Sequence, residues 1–140
     1  KPIIRSDQPF MHWFMDVGGP LSSDKLQYNY FLALCDSATR FPVAYALRKV
    51  TSKSIIECLL NLFQFVGCPA YLSADNASCN VSGLMKEFLK RLGSIPCFIS
   101  PGHSEGNSPA ERTVGTVKSL IAKVAAEHPH SWHKLLGHVM

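Results

Sequence analysis

Residues 10–21 read F-M-H-W-F-M-D-V-G-G-P-L, and this stretch decides the fold. The aromatic and apolar residues from Phe10 to Val17 predict a buried β-strand, and Gly18-Gly19-Pro20 predicts the turn that ends it. Asp16 is therefore expected at the C-terminal end of a buried strand.

Two further strands are predicted directly after this turn. Gln27 to Cys35 and Phe41 to Leu47 have the same composition, and the polar residues Asp36 to Arg40 separate them. Short links between three successive strands predict an antiparallel meander.

Beyond the meander the pattern alternates between helices and strands. Helices are predicted at Thr51–Val66, around Leu84–Leu92, at Pro109–Glu127 and from Ser131 onward, and strands at Ala70–Ala74 and Ile95–Ile99. The expected buried stripes are Ile55, Ile56, Leu59, Leu60, Phe63 and Val66 on the first helix, and Val114, Val117, Leu120, Ile121 and Val124 on the long one. This order predicts an α/β fold in which helices flank a mixed sheet.

Size and composition favour one compact domain. The chain has 140 residues, 46% of them apolar, and a net charge of +4 that modestly favours polyanionic partners. We expect a linker at residues 1–9 and a domain at residues 10–140 that breaks off within its last helix. No apolar run is long enough to cross a bilayer.

Five cysteines, an odd number without a C-x-x-C pair, indicate buried free thiols in a reducing compartment. They are Cys35, Cys58, Cys68, Cys79 and Cys97. The six histidines have no spacing that would complete a zinc site with them.

Three acidic residues stand at positions where ligand sites form in such folds. Asp16 and Asp75 end predicted strands, and Glu111 opens the long helix. Each has a structural alternative: both aspartates could be turn residues, and Ser108-Pro-Ala-Glu111 fits a helix capping box. If the three carboxylates converge, they require cations, and oxygen-only ligands suit Mg²⁺ or Mn²⁺.

The combination of motifs resembles the D,D-35-E core of integrases from retroviruses and gypsy-type LTR retrotransposons. Thirty-five residues separate Asp75 from Glu111, Asp16 lies in W-F-M-D-V-G-G-P-L, and residues 100–112 read S-P-G-H-S-E-G-N-S-P-A-E-R. The resemblance implies an RNase H-like fold whose five-stranded mixed sheet has three antiparallel and then two parallel strands. It also implies that Asp16, Asp75 and Glu111 hold two Mg²⁺ or Mn²⁺ ions for 3′-end processing and strand transfer of DNA.

The same resemblance implies further site residues. Lys118, seven residues after Glu111, matches a lysine that contacts the DNA end. The other DNA contacts expected are Asn76, Asn107 and Arg112, and the mobile active-site loop should contain Gly102, His103 and Gly106. One departure is Ala77-Ser78-Cys79, because many relatives have glycine after the D-N pair.

The resemblance also implies partners and a location. We expect DNA as substrate, a zinc-binding N-terminal and a basic C-terminal domain outside this chain, no membrane, and a nuclear complex that passes through the cytoplasm. A homodimer or higher oligomer should pair through the first and C-terminal helices, which offer Phe63, Phe65, Trp132, Leu135 and Leu136.

Two other functions remain open from the sequence. A ribonuclease H would need a fourth carboxylate, for which Glu57 is the candidate, although Glu57 also fits a first-turn pair with Ser54. A domesticated integrase module would bind DNA or protein without catalysis.

Overall fold

The computed structural model describes residues 8–21, 28–75, 83–99, 109–128, 132 and 138–139, with only the backbone described at 75, 97–99, 109, 110, 138 and 139. In chain order the elements are β1 His12–Gly18, β2 Tyr30–Asp36, β3 Pro42–Leu47, α1 Ser52–Val66, β4 Tyr71–Asp75, α2 Gly83–Leu92, β5 Ile95–Ile99, α3 Pro109–Glu127 and β6 His138–Val139.

The strands form one mixed sheet in the order β5-β4-β1-β2-β3-β6. β1, β2 and β3 are antiparallel neighbours, whereas β4 runs parallel to β1 and β5 runs parallel to β4. The predicted five-stranded mixed sheet flanked by helices is confirmed. It places the C-terminal ends of β1, β4 and β5 at the same edge of the sheet.

A short sixth strand occupies residues 138–139, where the sequence predicts helix; the rest of the predicted last helix, apart from Trp132, lies outside the described residues. His138 and Val139 pair in parallel with Tyr45 and Ala46 of β3, so these two residues are in a strand rather than in a helix. The physical reason is that β3 would otherwise be an open edge with unpaired backbone groups.

Helices α1 and α2 cover one face of the sheet. Thr51 caps α1 in a reciprocal capping box with Ser54, and the helix ends at Gly67, whose φ of 85° suits glycine. The buried residues of α1 are Ser52, Ile55, Cys58, Leu59, Leu62 and Phe63. Leu60 was expected in this stripe and is instead 45% exposed.

Helix α3 lies on the opposite face, packed on β2 and β1. Val114, Ile121 and Ala125 are buried there with Phe14 and Phe31 of the sheet. Leu120 was predicted to be buried and is 57% exposed, because the stripe facing the sheet follows the 114, 121, 125 spacing.

β1 and β2 begin two or more residues later than the sequence predicts. Phe10 has a φ of 65° and its ring stacks on Trp13, so β1 begins only at His12. β2 begins at Tyr30 rather than Gln27, and Gln27 lies outside the described residues.

The thiols of Cys35 and Cys58 are buried as expected, whereas Cys68 is exposed. Cys79 and the side chain of Cys97 lie outside the described part.

Candidate functional site

Asp16 lies in β1, two residues before its C-terminal end, opposite Ala33 of β2. Position 18, two residues after Asp16, requires glycine, because a Cβ there would overlap the ring of Phe31. Gly19 then turns the chain with a φ of 115°. The glycine pair therefore allows Phe31 to pack beneath the strand end that carries Asp16.

Strand pairing brings the backbone of Asp75 next to that of Asp16. In the parallel pair of β1 and β4, Met15 is opposite Ala74, and each aspartate is the next residue of its strand. Neighbouring strands lie about 4.8 Å apart. Asp75 also pairs with Ile99 of β5, so it ends a central strand. Its side chain lies outside the described atoms.

Glu111 is in the first turn of α3 and is partly exposed. Lys118 follows it by seven positions, which is nearly two helical turns, so both residues lie on one side of α3 about 10 Å apart along its axis. Glu111 therefore lies on the same side of α3 as Lys118. Ser108, the proposed cap partner, lies outside the described residues.

Lys118 contacts Asp16 directly. Its Nζ lies 2.8 Å from Asp16 Oδ2, and the two side chains are 34% and 28% exposed. The other carboxylate oxygen, Oδ1, accepts a hydrogen bond of 2.9 Å from the backbone N–H of Val17. The sequence predicted that Lys118 contacts DNA or solvent and missed this ion pair, although its spacing from Val114 and Ile121 could have indicated it.

The donor set suits a hard cation. Asp16 offers a carboxylate oxygen that already contacts a positive charge at 2.8 Å, at the same sheet edge as Asp75. Within the described residues, no group of three His, Cys, Asp or Glu side chains is gathered for a metal ion. The predicted triad falls outside that test because the Asp75 side chain is not described.

The remaining predicted DNA contacts are only partly covered. Arg112 is exposed in the first turn of α3. Asn76, Asn107 and the loop residues Gly102, His103 and Gly106 lie outside the described residues. These DNA contacts remain predictions.

Glu57 lies on a different helix from Glu111 and Lys118. It is exposed on α1, which covers the face of the sheet opposite to α3, whereas Asp16 is paired with Lys118 of α3. The ribonuclease H alternative, which requires Glu57 close to Asp16, stays a prediction.

Two buried polar groups were missed by the sequence reasoning. Asp36 is fully buried and accepts hydrogen bonds from the backbone N–H groups of Phe10 and Thr39 and from the Thr39 hydroxyl. His12 Nε2 lies 2.6 Å from Ser73 Oγ in the sheet. The D-x-x-T turn motif at Asp36 could have indicated the first; no sequence signal indicates the second.

None of the helices in the described ranges has the length and apolar character needed to cross a membrane.

Comparisons with known proteins agree with this arrangement. The family model of the integrase core domain matches residues 6–104. Gypsy retrotransposon integrase-like protein 1 of Macaca fascicularis is 25% identical over 138 residues, 98% of this chain and 26% of that protein. The Gag-Pro-Pol polyprotein of mouse mammary tumor virus (strain BR6) is 28% identical over 137 residues, 97% of this chain and 8% of the polyprotein.

A solved structure has the same fold. The chain is similar to one in the simian T-cell lymphotropic virus intasome in complex with PP2A regulatory subunit B56 gamma, with a TM-score of 0.63 and 22% identity over 89% of this chain and 45% of that one. This likeness confirms the RNase H-like fold. The chain spans about a quarter or less of the curated relatives described above.

Proposed function

Because the chain belongs to the integrase core domain family, we propose that it is the catalytic core of an integrase that processes DNA 3′ ends and joins them to target DNA. Asp16, Asp75 and Glu111 are the proposed catalytic residues. The observation that supports the proposal is the β1–β4 register, in which the backbones of Asp16 and Asp75 are neighbours at one sheet edge, while α3, which carries Glu111, packs on β1.

The three carboxylates would hold two Mg²⁺ or Mn²⁺ ions. Held by these residues, the ions would supply activation of a water or a 3′-hydroxyl and stabilisation of the leaving oxygen of a phosphodiester. The chain itself contributes rigid placement, because Asp16 and Asp75 come from central strands of the sheet. Glu111 is the more adjustable ligand, since it lies in the first turn of a helix.

DNA is the proposed substrate, and the chain would act within a larger protein. Arg112 and Lys118 offer positive charge on α3, and the N-terminus of α3 carries the positive end of the helix dipole. A zinc-binding N-terminal domain and a basic C-terminal domain would supply further phosphate contacts. We expect weak DNA binding by this chain alone, because affinity follows the number of neutralised phosphates. The site of action would be a nuclear nucleoprotein complex.

Dimerisation through α1 stays a prediction with fewer supporting residues. Phe63 and Trp132 were expected at the interface, but both are buried in the core. Phe65 is 72% exposed on α1, and Leu135 and Leu136 lie outside the described residues. Sedimentation equilibrium at micromolar concentration tests the dimer, and a monomer throughout that range would refute it.

A second candidate is a domesticated module that binds DNA or protein without catalysis. The observation that favours it is that several similar proteins are integrase-like proteins of mammals rather than viral polyproteins.

Disintegration of a branched DNA separates these functions. The substrate carries a donor end already joined to target DNA, so it positions the reacting groups without the other domains. In Mn²⁺ we expect the chain to release the donor end, and Asp16→Asn or Glu111→Gln to reduce the rate by orders of magnitude while the circular dichroism spectrum and melting temperature are retained.

Glu57→Gln is the matched control, since it removes one exposed carboxylate from the other face of the sheet. We expect near wild-type disintegration from it. Cleavage of an RNA–DNA hybrid that Glu57→Gln abolishes would instead support a ribonuclease, and DNA binding without turnover in Mn²⁺ would support the domesticated module.

A further inference from the structure

Lys118 occupies a core-facing position of α3. It follows Val114 by four residues and precedes Ile121 by three, and both of these neighbours are buried against the sheet. Residues at these spacings lie on one face of a helix. The Lys118 side chain is accordingly only 34% exposed, although lysine is among the residues most often exposed.

A cation that points at the sheet requires an anion, and Asp16 provides it. The distance from Lys118 Nζ to Asp16 Oδ2 is 2.8 Å. The Val17 N–H contacts Asp16 Oδ1, so this backbone donor is fixed by the strand, whereas the partner of Oδ2 is a flexible side chain. The ammonium can therefore leave without any change in the sheet.

We propose that Lys118 is a positioning residue that holds the Asp16 carboxylate in the metal-free protein and must release Oδ2 before a divalent cation binds there. This inference rests on the proposed function, because it takes Asp16 as a metal ligand. The ammonium released from Asp16 is then free to contact a DNA phosphate beside the metal site.

Competition for one oxygen makes metal binding and phosphate binding cooperative. The ion pair lowers the affinity of Asp16 for metal, because the metal must first displace the ammonium. A phosphate that attracts the ammonium removes this competitor and raises the affinity for metal, and linkage requires the reverse effect to be equal. The Lys118 side chain suits such an exchange, since lysine is a compact point charge on a flexible four-carbon stem.

Titration of the DNA-free chain with Mn²⁺, followed by the electron paramagnetic resonance signal of free Mn²⁺, tests the competition. Lys118→Met keeps the side-chain length and helix propensity but removes the cation. We expect Lys118→Met to bind Mn²⁺ at least about 5-fold more tightly than wild type, within the usual range of coupling between ligands. Lys118→Arg keeps the cation and should bind no more tightly than wild type.

Lys123→Met is the matched control, because Lys123 is exposed on the same helix five residues further along. It removes the same net charge, so a general electrostatic effect would change both variants alike. We expect its Mn²⁺ affinity to stay within about 2-fold of wild type, since exposed charges further away are screened. Equal tightening by Lys118→Met and Lys123→Met would overturn the proposal.

Asp16→Asn distinguishes failure of this inference from failure of the proposed function. If Asp16→Asn weakens Mn²⁺ binding while Lys118→Met leaves it unchanged or weaker, the metal site stands and the role of Lys118 is refuted. If Asp16→Asn binds Mn²⁺ as wild type does, Asp16 is not a metal ligand and both proposals fail.

A short DNA duplex tests the phosphate half of the proposal. DNA should raise the Mn²⁺ affinity of the wild type by a larger factor than that of Lys118→Met, because only the wild type has an ammonium to release. The Lys123→Met control should show the wild-type factor. Equal factors in wild type and Lys118→Met would refute the exchange of Lys118 from Asp16 to phosphate.

Discussion

Asp16 and Asp36 sit near the C-terminal ends of neighbouring antiparallel strands, and therefore at opposite edges of the sheet. Asp36 is fully buried, and its oxygens accept hydrogen bonds from the Phe10 N–H at 3.0 Å, the Thr39 N–H at 3.0 Å and the Thr39 hydroxyl at 2.8 Å. Asp16 is partly exposed, with one backbone donor and the Lys118 ammonium.

The difference shows how one residue type can serve structure or chemistry. Around Asp36 two of the three donors are backbone N–H groups, so removing its carboxylate leaves polar groups of the β2–β3 turn without an acceptor. Asp16 Oδ2 instead contacts the ammonium of the Lys118 side chain, which another cation can replace. A carboxylate that binds a ligand needs a partner of this kind, which the ligand can displace.

The largest expected effect compares Asp36→Ala with Asp16→Ala. Asp36→Ala should lower the free energy of unfolding by about 2–4 kcal/mol, because the donors of Phe10 and Thr39 lose a fully buried acceptor. Asp16→Ala should change it by about 1 kcal/mol or less, since partly exposed ion pairs contribute little. Urea denaturation followed by circular dichroism measures both.

Asp36→Asn is the control for this comparison, because it keeps an acceptor oxygen of similar shape and should lose less stability than Asp36→Ala. If Asp16→Ala costs as much stability as Asp36→Ala, the distinction between a structural and a functional carboxylate does not hold.

Much of the fold could be predicted because its signals are local. The bounds of β5 and α3 agree with the prediction, and α1 differs only in that Thr51 is its cap. Caps, glycines and helical periodicity act within a few residues, so the sequence reveals them. β6 could not be predicted, because a two-residue strand exists only through its pairing with distant β3.

The candidate site divides in the same way. The position of Asp16 and Asp75 at strand ends follows from local composition, but their adjacency depends on the β1–β4 register. The contact of Lys118 with Asp16 joins residues 102 positions apart and depends on how α3 lies over the sheet. Periodicity locates a helix face, whereas only the packed structure shows which face is buried, as the exposed Leu120 demonstrates.

A smaller effect is expected from two glycine substitutions that test how rigidly Asp16 is held. Gly18→Ala should lower the free energy of unfolding by about 1–3 kcal/mol, because the new Cβ overlaps the Phe31 ring and the strand end must shift. Gly115→Ala on α3 meets no atom within 4 Å and should stabilise the protein by about 0.5–1 kcal/mol. Thermal denaturation measures both changes.

Mn²⁺ binding extends this test to the site. Gly18→Ala should weaken binding, because Asp16 moves with the strand end, whereas Gly115→Ala should not. Unchanged Mn²⁺ affinity in a destabilised Gly18→Ala protein would show that Asp16 does not depend on the packing of Phe31 against β1.

The smallest expected effect tests whether Asp16 and Asp36 differ because water reaches one face of the sheet more than the other. Cys35 lies on the α3 face and Cys58 on the α1 face. Burial raises the pKa of Cys35 from 9.0 to about 11, despite an opposing hydrogen bond with Thr113, and burial raises the pKa of Cys58 from 9.0 to about 12. Water is therefore excluded from the centre of both faces, where Cys35 and Cys58 are fully buried. The difference in exposure between Asp16 and Asp36 is confined to the strand ends.

A thiol whose pKa is raised by folding stabilises the folded state fully below the unfolded pKa of 9.0, and this contribution is lost as pH rises towards the folded pKa. When the pH rises from 8 to 9, each thiol ionises more readily in the unfolded than in the folded state. This difference should lower the free energy of unfolding by about 0.4 kcal/mol for each thiol. Tyr45 contributes little there, because its pKa is raised from 10.0 to about 12, chiefly by burial. Urea denaturation of Cys35→Ala and Cys58→Ala at the two pH values should show that each variant loses a similar share of the pH dependence. If only Cys58→Ala loses part of the pH dependence, water reaches the centre of the α3 face. The contrast between Asp16 and Asp36 would then reflect the hydration of the whole face rather than the partners of each carboxylate.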